Sequence, residues 1–286
     1  MKSYILLLRP HQYIKNLLIF APIFFAQKLF NSYLVIQNAI AFVCFCAVAS
    51  SVYVLNDYRD RESDRQHPVK KNRPLASGAV SPKVAFGIAI VLGISGLAIA
   101  NWLSQTFFLI LLSYLILNIL YSLSLKHKAL LDIYIIASGF LMRIFSGSEV
   151  TQVPASMWIV LITFCLALFL ALAKRRADII LSQSGSAVRK SIDGYNLEFV
   201  NGAMVLLSSV VLICYIFYTI SPEVTERFHT NHLYLTVLFV ILGFLRYMQI
   251  IFVFQRHGDP TEIVLKDHFL QVTILAWLIA FLYFIY

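Results

Sequence analysis

The chain has 286 residues, 60% of them apolar and only 13% charged, with a formal net charge of +9. Those proportions exclude an ordinary soluble domain and predict a polytopic helical membrane protein. The positive balance does not call for nucleic acid, because in a membrane protein Lys and Arg gather in cytoplasmic loops and also suit anionic substrates.

In chain order, residues 1–16 set Tyr4, Ile5, Leu7 and Leu8 among Lys2, Arg9 and Lys15, a pattern that can lie along the interface. Pro10, His11, Gln12, Lys15 and Asn16 interrupt any signal-peptide core, so no cleaved leader is expected. Apolar stretches of about 20 residues, enough to cross a bilayer, then recur about nine times. They fall at 16–33, 37–56, 83–102, 106–124, 130–149, 155–173, 197–219, 232–253 and 268–286. The whole chain, 1–286, therefore reads as one all-α integral-membrane bundle around a cavity. Cys44, Cys46, Cys165 and Cys214 lie inside apolar runs with no metal spacing and read as reduced packing residues.

The second stretch runs into Asn56-Asp57-Tyr58-Arg59-Asp60-Arg61-Glu62-Ser63-Asp64-Arg65, the densest charge in the sequence. On a helix, Asn56, Asp60 and Asp64 stack on one face, and Asp57 lies about 100° round from Asn56. Three carboxylates and an amide pointing one way suit a hard cation such as Mg2+, which usually brings substrate phosphates with it. A solvated helix end is the plain alternative. The loop that follows, His67-Pro68-Val69-Lys70-Lys71-Asn72-Arg73-Pro74-Leu75-Ala76-Ser77-Gly78, is basic and bracketed by prolines. Lying over the acidic face, it would bring Lys70 and Arg73 to phosphate oxygens, Arg73 in a bidentate manner.

Further on, Tyr121 and Lys126 end one span and Asp132 begins the next. A carboxylate at the start of a membrane helix usually faces a cavity or a partner. Arg143, about 11 residues deeper, should face the bundle interior and pair with Glu149 or with an acidic headgroup. Lys174, Arg175 and Arg176 end the sixth span, and the loop beyond holds Arg189, Lys190, Asp193, Gly194 and Tyr195. Of the 23 Lys and Arg, all but Lys28, Arg143 and Arg227 fall on or near one side if the N-terminus is inside. That side is the cytoplasmic one, it carries the acidic stretch, and the C-terminus lies outside.

An acidic, metal-type site ringed by Lys15, Lys70, Arg73, Lys126, Lys174 and Arg175 is the electrostatics of a Mg2+-diphosphate beside a second anion. Asn56-Asp57-x-x-Asp60-x-x-x-Asp64 resembles the first aspartate-rich motif of the UbiA-type intramembrane prenyltransferases, and Tyr121 with Lys126 resembles their Tyr/Lys element. Their usual second DxxxD cluster is represented only by Asp132. Stretches 9–16, 56–78, 121–143, 174–178 and the Arg189-Lys190-Ser191…Gly194-Tyr195 element are more similar still to one branch, the decaprenyl-phosphate phosphoribosyltransferases.

The branch resemblance implies Mg2+-dependent transfer of 5-phosphoribose from phosphoribosyl diphosphate (PRPP) to a polyprenyl phosphate in the cell (inner or plasma) membrane. Pyrophosphate would be the leaving group, at a site facing the cytoplasm. Asn56, Asp57, Asp60 and Asp64 would be metal ligands. Lys126 and Asp132 would act in catalysis beside the aspartates. Lys15, Lys70, Arg73, Tyr121, Arg143, Lys174, Arg175, Arg189 and Tyr195 would bind substrate. The lipid product would serve cell-wall or surface glycan assembly, with arabinan and O-antigen both open. Self-association is implied too, although no stretch marks an interface. Two other functions fit the residues: prenyl transfer from a polyprenyl diphosphate to an aromatic acceptor, and anion transport.

Overall fold

The computed structural model describes residues 2–66, 70–183, 194–255 and 260–285. Among them every regular element is a helix. A chain within hydrocarbon must satisfy its backbone N–H and C=O groups inside each segment, and helices do so. Eight helices among the described residues are long and apolar enough to cross a membrane.

The helices are α1 (Lys2–Leu8), α2 (Ala21–Phe25), α3 (Ser32–Gln66), α4 (Pro82–Leu103), α5 (Gln105–Leu123), α6 (Leu131–Thr151) and α7 (Met157–Gln183), followed by α8 (Leu197–Ile220), α9 (Pro222–Phe228), α10 (Val237–Phe252), α11 (Pro260–Lys266) and α12 (His268–Ile285). The chain packs as two compact units. One takes Met1–Leu125 and Gly139–Ala155; the other takes Lys126–Ser138 and Ser156–Tyr286. Helix α6 begins in the second and ends in the first.

The segment expected as the first span, 16–33, is not one helix. A 3-10 helix, Pro10–Phe20, runs into the short α2, which stops where Gln27 turns left-handed at φ 56°. Proline stands near the start of each piece, where it fits a helix but cannot extend one backwards. Eleven 3-10 residues and five α residues measure roughly 30 Å at about 2.0 and 1.5 Å per residue. That equals the hydrocarbon thickness of about 30 Å, so the composite is long enough to cross.

Helix α3 is the axis of the first unit. Its 35 residues, at about 1.5 Å each, reach roughly 52 Å. It therefore outruns the hydrocarbon by several turns, and the acidic stretch remains helical beyond it. Helix α4 packs on α3 through small residues. A Cβ at Gly96 would lie 2.8 Å from Val48 and 3.0 Å from the Cys44 carbonyl, and one at Gly93 would lie 3.2 Å from Ser51 Oγ. In a membrane, where lipid is as apolar as leucine, such close approach supplies the packing that holds helices together. Ile19, Phe45, Val48, Phe107, Leu111 and Tyr114 form the core around the middle of α3. Leu7, Val54, Leu75, Val80, Ala85 and Ala89 form a second cluster under the charged end.

In the second unit α7 packs along α8, and α10 along α12. Phe169 of α7 meets Phe244 and Tyr247 of α10 at ring-centroid distances of 5.3 and 5.5 Å. A hydrogen-bonded chain links three side chains: Tyr215 Oη pairs with Thr236 Oγ1 at 2.8 Å, and Trp277 Nε1 donates to Tyr215 Oη at 2.7 Å.

Candidate active site

The aspartates of α3 keep the geometry that their spacing predicts. With 100° per residue, Asp57 and Asp64 stand about 20° apart on the helix, with Asp60 between them and Asn56. Asp57 and Asp64 are buried, at 2% and 3% exposure, and both face the 70–80 loop. Arg73 Nη1 bridges them, 3.0 Å from Asp57 Oδ1 and 2.7 Å from Asp64 Oδ2. Arg9 Nη2 reaches the same Asp57 oxygen at 2.5 Å. Asp60 lies half-buried on this face. Asn56 Oδ1 accepts from the Ser122 hydroxyl, and Arg59 caps the end of α5 through the carbonyls of Ser122 and Leu123 at 2.5 and 3.1 Å.

Both arginines are placed by their own surroundings. Arg9 turns left-handed at φ 54°, between α1 and the 3-10 helix. The Leu8 carbonyl before it accepts from Ser50 Oγ, itself paired with Tyr13 Oη at 2.8 Å. The guanidinium lies 5.4 Å from the Tyr53 ring centroid, one turn before Asp57. Arg73 stands in a loop fixed by Ser77 N–H to its carbonyl, Val80 N–H to Pro74 and Arg65 Nε to Ala76. Pro74, Leu75 and Ala76 are buried beneath it, and Gly78 takes φ +78° to turn the chain. The expectation that this basic loop lies over the acidic face therefore holds at Arg73. Lys70, in the 3-10 turn Lys70–Asn72, and Lys15, in the 3-10 helix Pro10–Phe20, are both half-buried. His67, Pro68 and Val69 lie outside the described residues.

Asn56, Asp57, Asp60 and Asp64 offer only oxygen donors, the chemistry of a Mg2+ site. A cation already stands between two of them, since one guanidinium nitrogen is shared by Asp57 and Asp64. No group of three His, Cys, Asp or Glu gathers closely enough to hold a metal among the described residues. Mg2+ is usually held by one or two carboxylates together with water and substrate phosphate oxygens, so the oxygen donors here would take it with a phosphorylated ligand rather than as a closed protein cage. The residues present fit the ion.

Arg143 is buried in the first unit, 4% exposed, but it is not paired with Glu149 as expected. Its Nε donates to Asn16 Oδ1 at 2.8 Å, its Nη1 to the Gly139 carbonyl at 2.6 Å and its Nη2 to Tyr114 Oη at 3.4 Å. The rings of Phe45, Tyr114 and Phe140 enclose the charge, at 4.7, 5.2 and 5.6 Å. Glu149 instead accepts from Ser104 Oγ, close to the start of α5. An amide, a carbonyl and aromatic faces serve a guanidinium where a carboxylate would itself need desolvating. Gly147 makes this packing possible: a Cβ there would lie 1.8 Å from the Ile19 carbonyl oxygen.

In the second unit Asp132, in the first turn of α6, is fully buried against fully buried Arg175 of α7. Arg175 Nε is 2.7 Å from Asp132 Oδ2, an ion pair whose N–H is not aimed along the line of a hydrogen bond. Arg175 Nη1 donates to Asp178 at 2.6 Å. Tyr195 donates to Asp132 Oδ1 at 2.7 Å and accepts from Leu130 N–H at 2.8 Å, which steadies Leu130 at φ 67°. Burial, and after it donation to Asp132, push the Tyr195 phenol well above its ordinary pKa of 10.0, so it stays a neutral donor. Gly194 lets the chain pass: a Cβ there would lie 2.5 Å from Ala129 Cβ. Lys126, in the 3-10 turn Leu125–His127, and Lys174, beside Arg175, are half-buried. Tyr121 belongs to the last turns of α5 in the first unit and is half-buried. Arg189, Lys190 and Asp193 lie outside the described residues.

Arg9 and Asn16 were not singled out in the sequence as site residues, and Tyr195 was singled out only for substrate. Arg9 is 48 positions from Asp57, Tyr195 is 63 from Asp132, and Asn16 is 127 from Arg143, which only folding can bring together. Tyr195 was assigned to substrate, whereas its hydroxyl is committed to the protein; Arg9 and Asn16 were quoted without a role.

A helix face of carboxylates with arginines at hand is the kind of arrangement that suits a metal ion and phosphate groups. Residues 17–182 match the UbiA prenyltransferase family, and the chain belongs to that family. It is a multi-pass membrane protein. It is 34% identical over 281 residues to decaprenyl-phosphate phosphoribosyltransferase of Mycolicibacterium smegmatis, covering 94% of this chain and 88% of that one. Its identity to the Mycobacterium tuberculosis protein of the same name is 32% over 276 residues, 95% and 90% of the two chains. The fold is that of a UbiA homologue from Archaeoglobus fulgidus solved with GPP and Mg2+, at a TM-score of 0.70, 18% identity and coverage of 99% and 96%.

Proposed function

We propose that this chain transfers 5-phosphoribose from PRPP to a polyprenyl phosphate, releasing pyrophosphate, with the site facing the cytoplasm. The observation that carries the reading is the end-to-end likeness to relatives named for that reaction, 34% identity over 94% of the chain. The side of the membrane is read from the sequence, in which all but three of the 23 Lys and Arg fall on or near one side when the N-terminus is inside.

Asn56, Asp57, Asp60 and Asp64 would hold Mg2+, which when bound neutralises charge on the leaving diphosphate. Arg73, with Lys70 and Lys15, grips phosphate oxygens; a guanidinium fork matches them two at a time. Holding both reactants in line converts a bimolecular encounter into an oriented one. The acceptor needs no strong base, because a phosphomonoester with a second pKa of about 6 is already anionic near neutrality. Attack from the face opposite pyrophosphate inverts C1 of the ribose.

Lys126 and Lys174 serve as anion-binding groups. Asp132, Arg175 and Tyr195 act through them: buried and joined through Asp132, they are positioning residues that fix the turn carrying Lys126 and the stretch of α7 carrying Lys174.

The test is pyrophosphate release by purified protein in lipid. PRPP with a long polyprenyl phosphate is compared with a polyprenyl diphosphate and an aromatic acid, each with Mg2+ and with EDTA. Release from the first pair alone, abolished by EDTA, is the expected result. Release from the second pair alone would make the chain a prenyltransferase in the narrow sense. No release from either, in folded protein, would favour anion transport.

A further inference from the structure

We propose that Arg9 and Arg73 select the metal–diphosphate complex over either component alone, by serving as counter-ions that both components must displace together. The inference rests on the reading of the acidic face given above and adds Arg9 to the diphosphate-binding groups.

Two buried carboxylates, Asp57 and Asp64, are balanced by two guanidiniums, Arg9 and Arg73. The quartet is electrically neutral. A divalent cation entering by itself would meet two arginines already in place, and even with Asp60 on the same face at least one positive charge would be left uncompensated. A diphosphate entering by itself would find both guanidiniums committed and two carboxylates facing it. Entering together, the cation takes the carboxylates and the freed guanidiniums take phosphate oxygens, so charge is balanced on both sides of the exchange. The low dielectric around buried aspartates makes any unbalanced alternative expensive.

The two arginines are suited to the exchange in different degrees. Their side chains are 22% and 30% exposed, against 3% and 5% for Asp57 and Asp64, so they turn outward without uncovering the core. Arg73 has no other side-chain hydrogen bond or ion pair among the described residues than those to the two carboxylates, both through Nη1. Arg9 is additionally held over the Tyr53 ring. Arg73 is therefore the member that swings, and Arg9 the one that shifts within its place.

The test is equilibrium binding of Mn2+, a spectroscopic stand-in for Mg2+, to the full chain in nanodiscs. Mn2+ alone is compared with Mn2+ plus inorganic pyrophosphate, corrected for the complex free in solution. The expected result is a pyrophosphate-dependent tightening in the range of coupling between sites, roughly 5–150-fold. In Arg73→Gln, Mn2+ alone binds more tightly than to wild type and the pyrophosphate effect shrinks; Arg73→Lys retains it. Equal Mn2+ affinity with and without pyrophosphate in wild type, a comparison that needs no variant, would overturn the coupling while leaving a metal site standing. Absence of Mn2+ binding under both conditions would overturn the metal reading itself, and the inference with it.

Discussion

Asp132→Asn removes one charge from an ion pair in which neither side chain sees solvent. Asparagine keeps an oxygen for the Tyr195 hydroxyl, so the loss falls on Arg175. That guanidinium stays buried with Asp178, whose side chain is 21% exposed, as its other carboxylate partner among the described residues. Breaking a buried pair by deleting one partner costs about 3–5 kcal/mol, because the other charge remains desolvated. With about 2–4 °C per kcal/mol for a body of this size, the melting temperature should fall by roughly 6–20 °C. The assay is thermal unfolding in detergent, followed by tryptophan fluorescence. Asp132→Asn with Arg175→Met should recover part of the loss, since removing both charges spares the stranded one. A melting temperature within about 2 °C of wild type, less than the shift of a single kcal/mol, would refute the reasoning. So would a double variant as unstable as the sum of the two single ones.

Asp60→Asn should lower Mg2+-dependent turnover by orders of magnitude while the melting temperature holds, since Asp60 is half-buried and outside the arginine-bridged pair; near-normal activity would remove it from the metal site. Gly147→Ala should destabilise the first unit by roughly 1–3 kcal/mol or more, from the clash with the Ile19 carbonyl, and a melting curve like wild type would contradict that packing. Tyr195→Phe should cost about 1–3 kcal/mol by leaving buried partners unsatisfied. Its pH dependence has a definite sign. Because the folded phenol titrates above the ordinary 10.0, its stabilisation is complete below that value and lost as pH rises through the raised one. The gap in melting temperature between wild type and Tyr195→Phe should stay constant up to about pH 9 and narrow above about pH 10.

The apolar stretches were legible because length and composition alone decide what crosses a bilayer; seven of the predicted spans lie along a single α-helix, and an eighth, 232–253, lies along a 3-10 turn running into α10. The carboxylate face of α3 was legible because helical spacing fixes which side chains share a side. The first span was misjudged: hydropathy sees Asn16 to Tyr33 as one run, whereas proline spacing breaks it into a 3-10 piece and a short helix. Of the two partners expected for Arg143, Glu149 was misjudged for another reason. A carboxylate six residues away on the same helix does not share its face, and an amide 127 positions distant does the work. Arg9 was hidden because nothing local says which way a left-handed arginine before a proline will turn.

The account stands most directly on the identity of the group transferred. The measurement is the mass of the lipid after incubation with PRPP, Mg2+ and a long polyprenyl phosphate. The account predicts a lipid heavier by one phosphoribosyl group, formed in step with pyrophosphate and absent in EDTA. An unchanged lipid, together with a prenylated aromatic acid when a polyprenyl diphosphate is supplied instead, would contradict it.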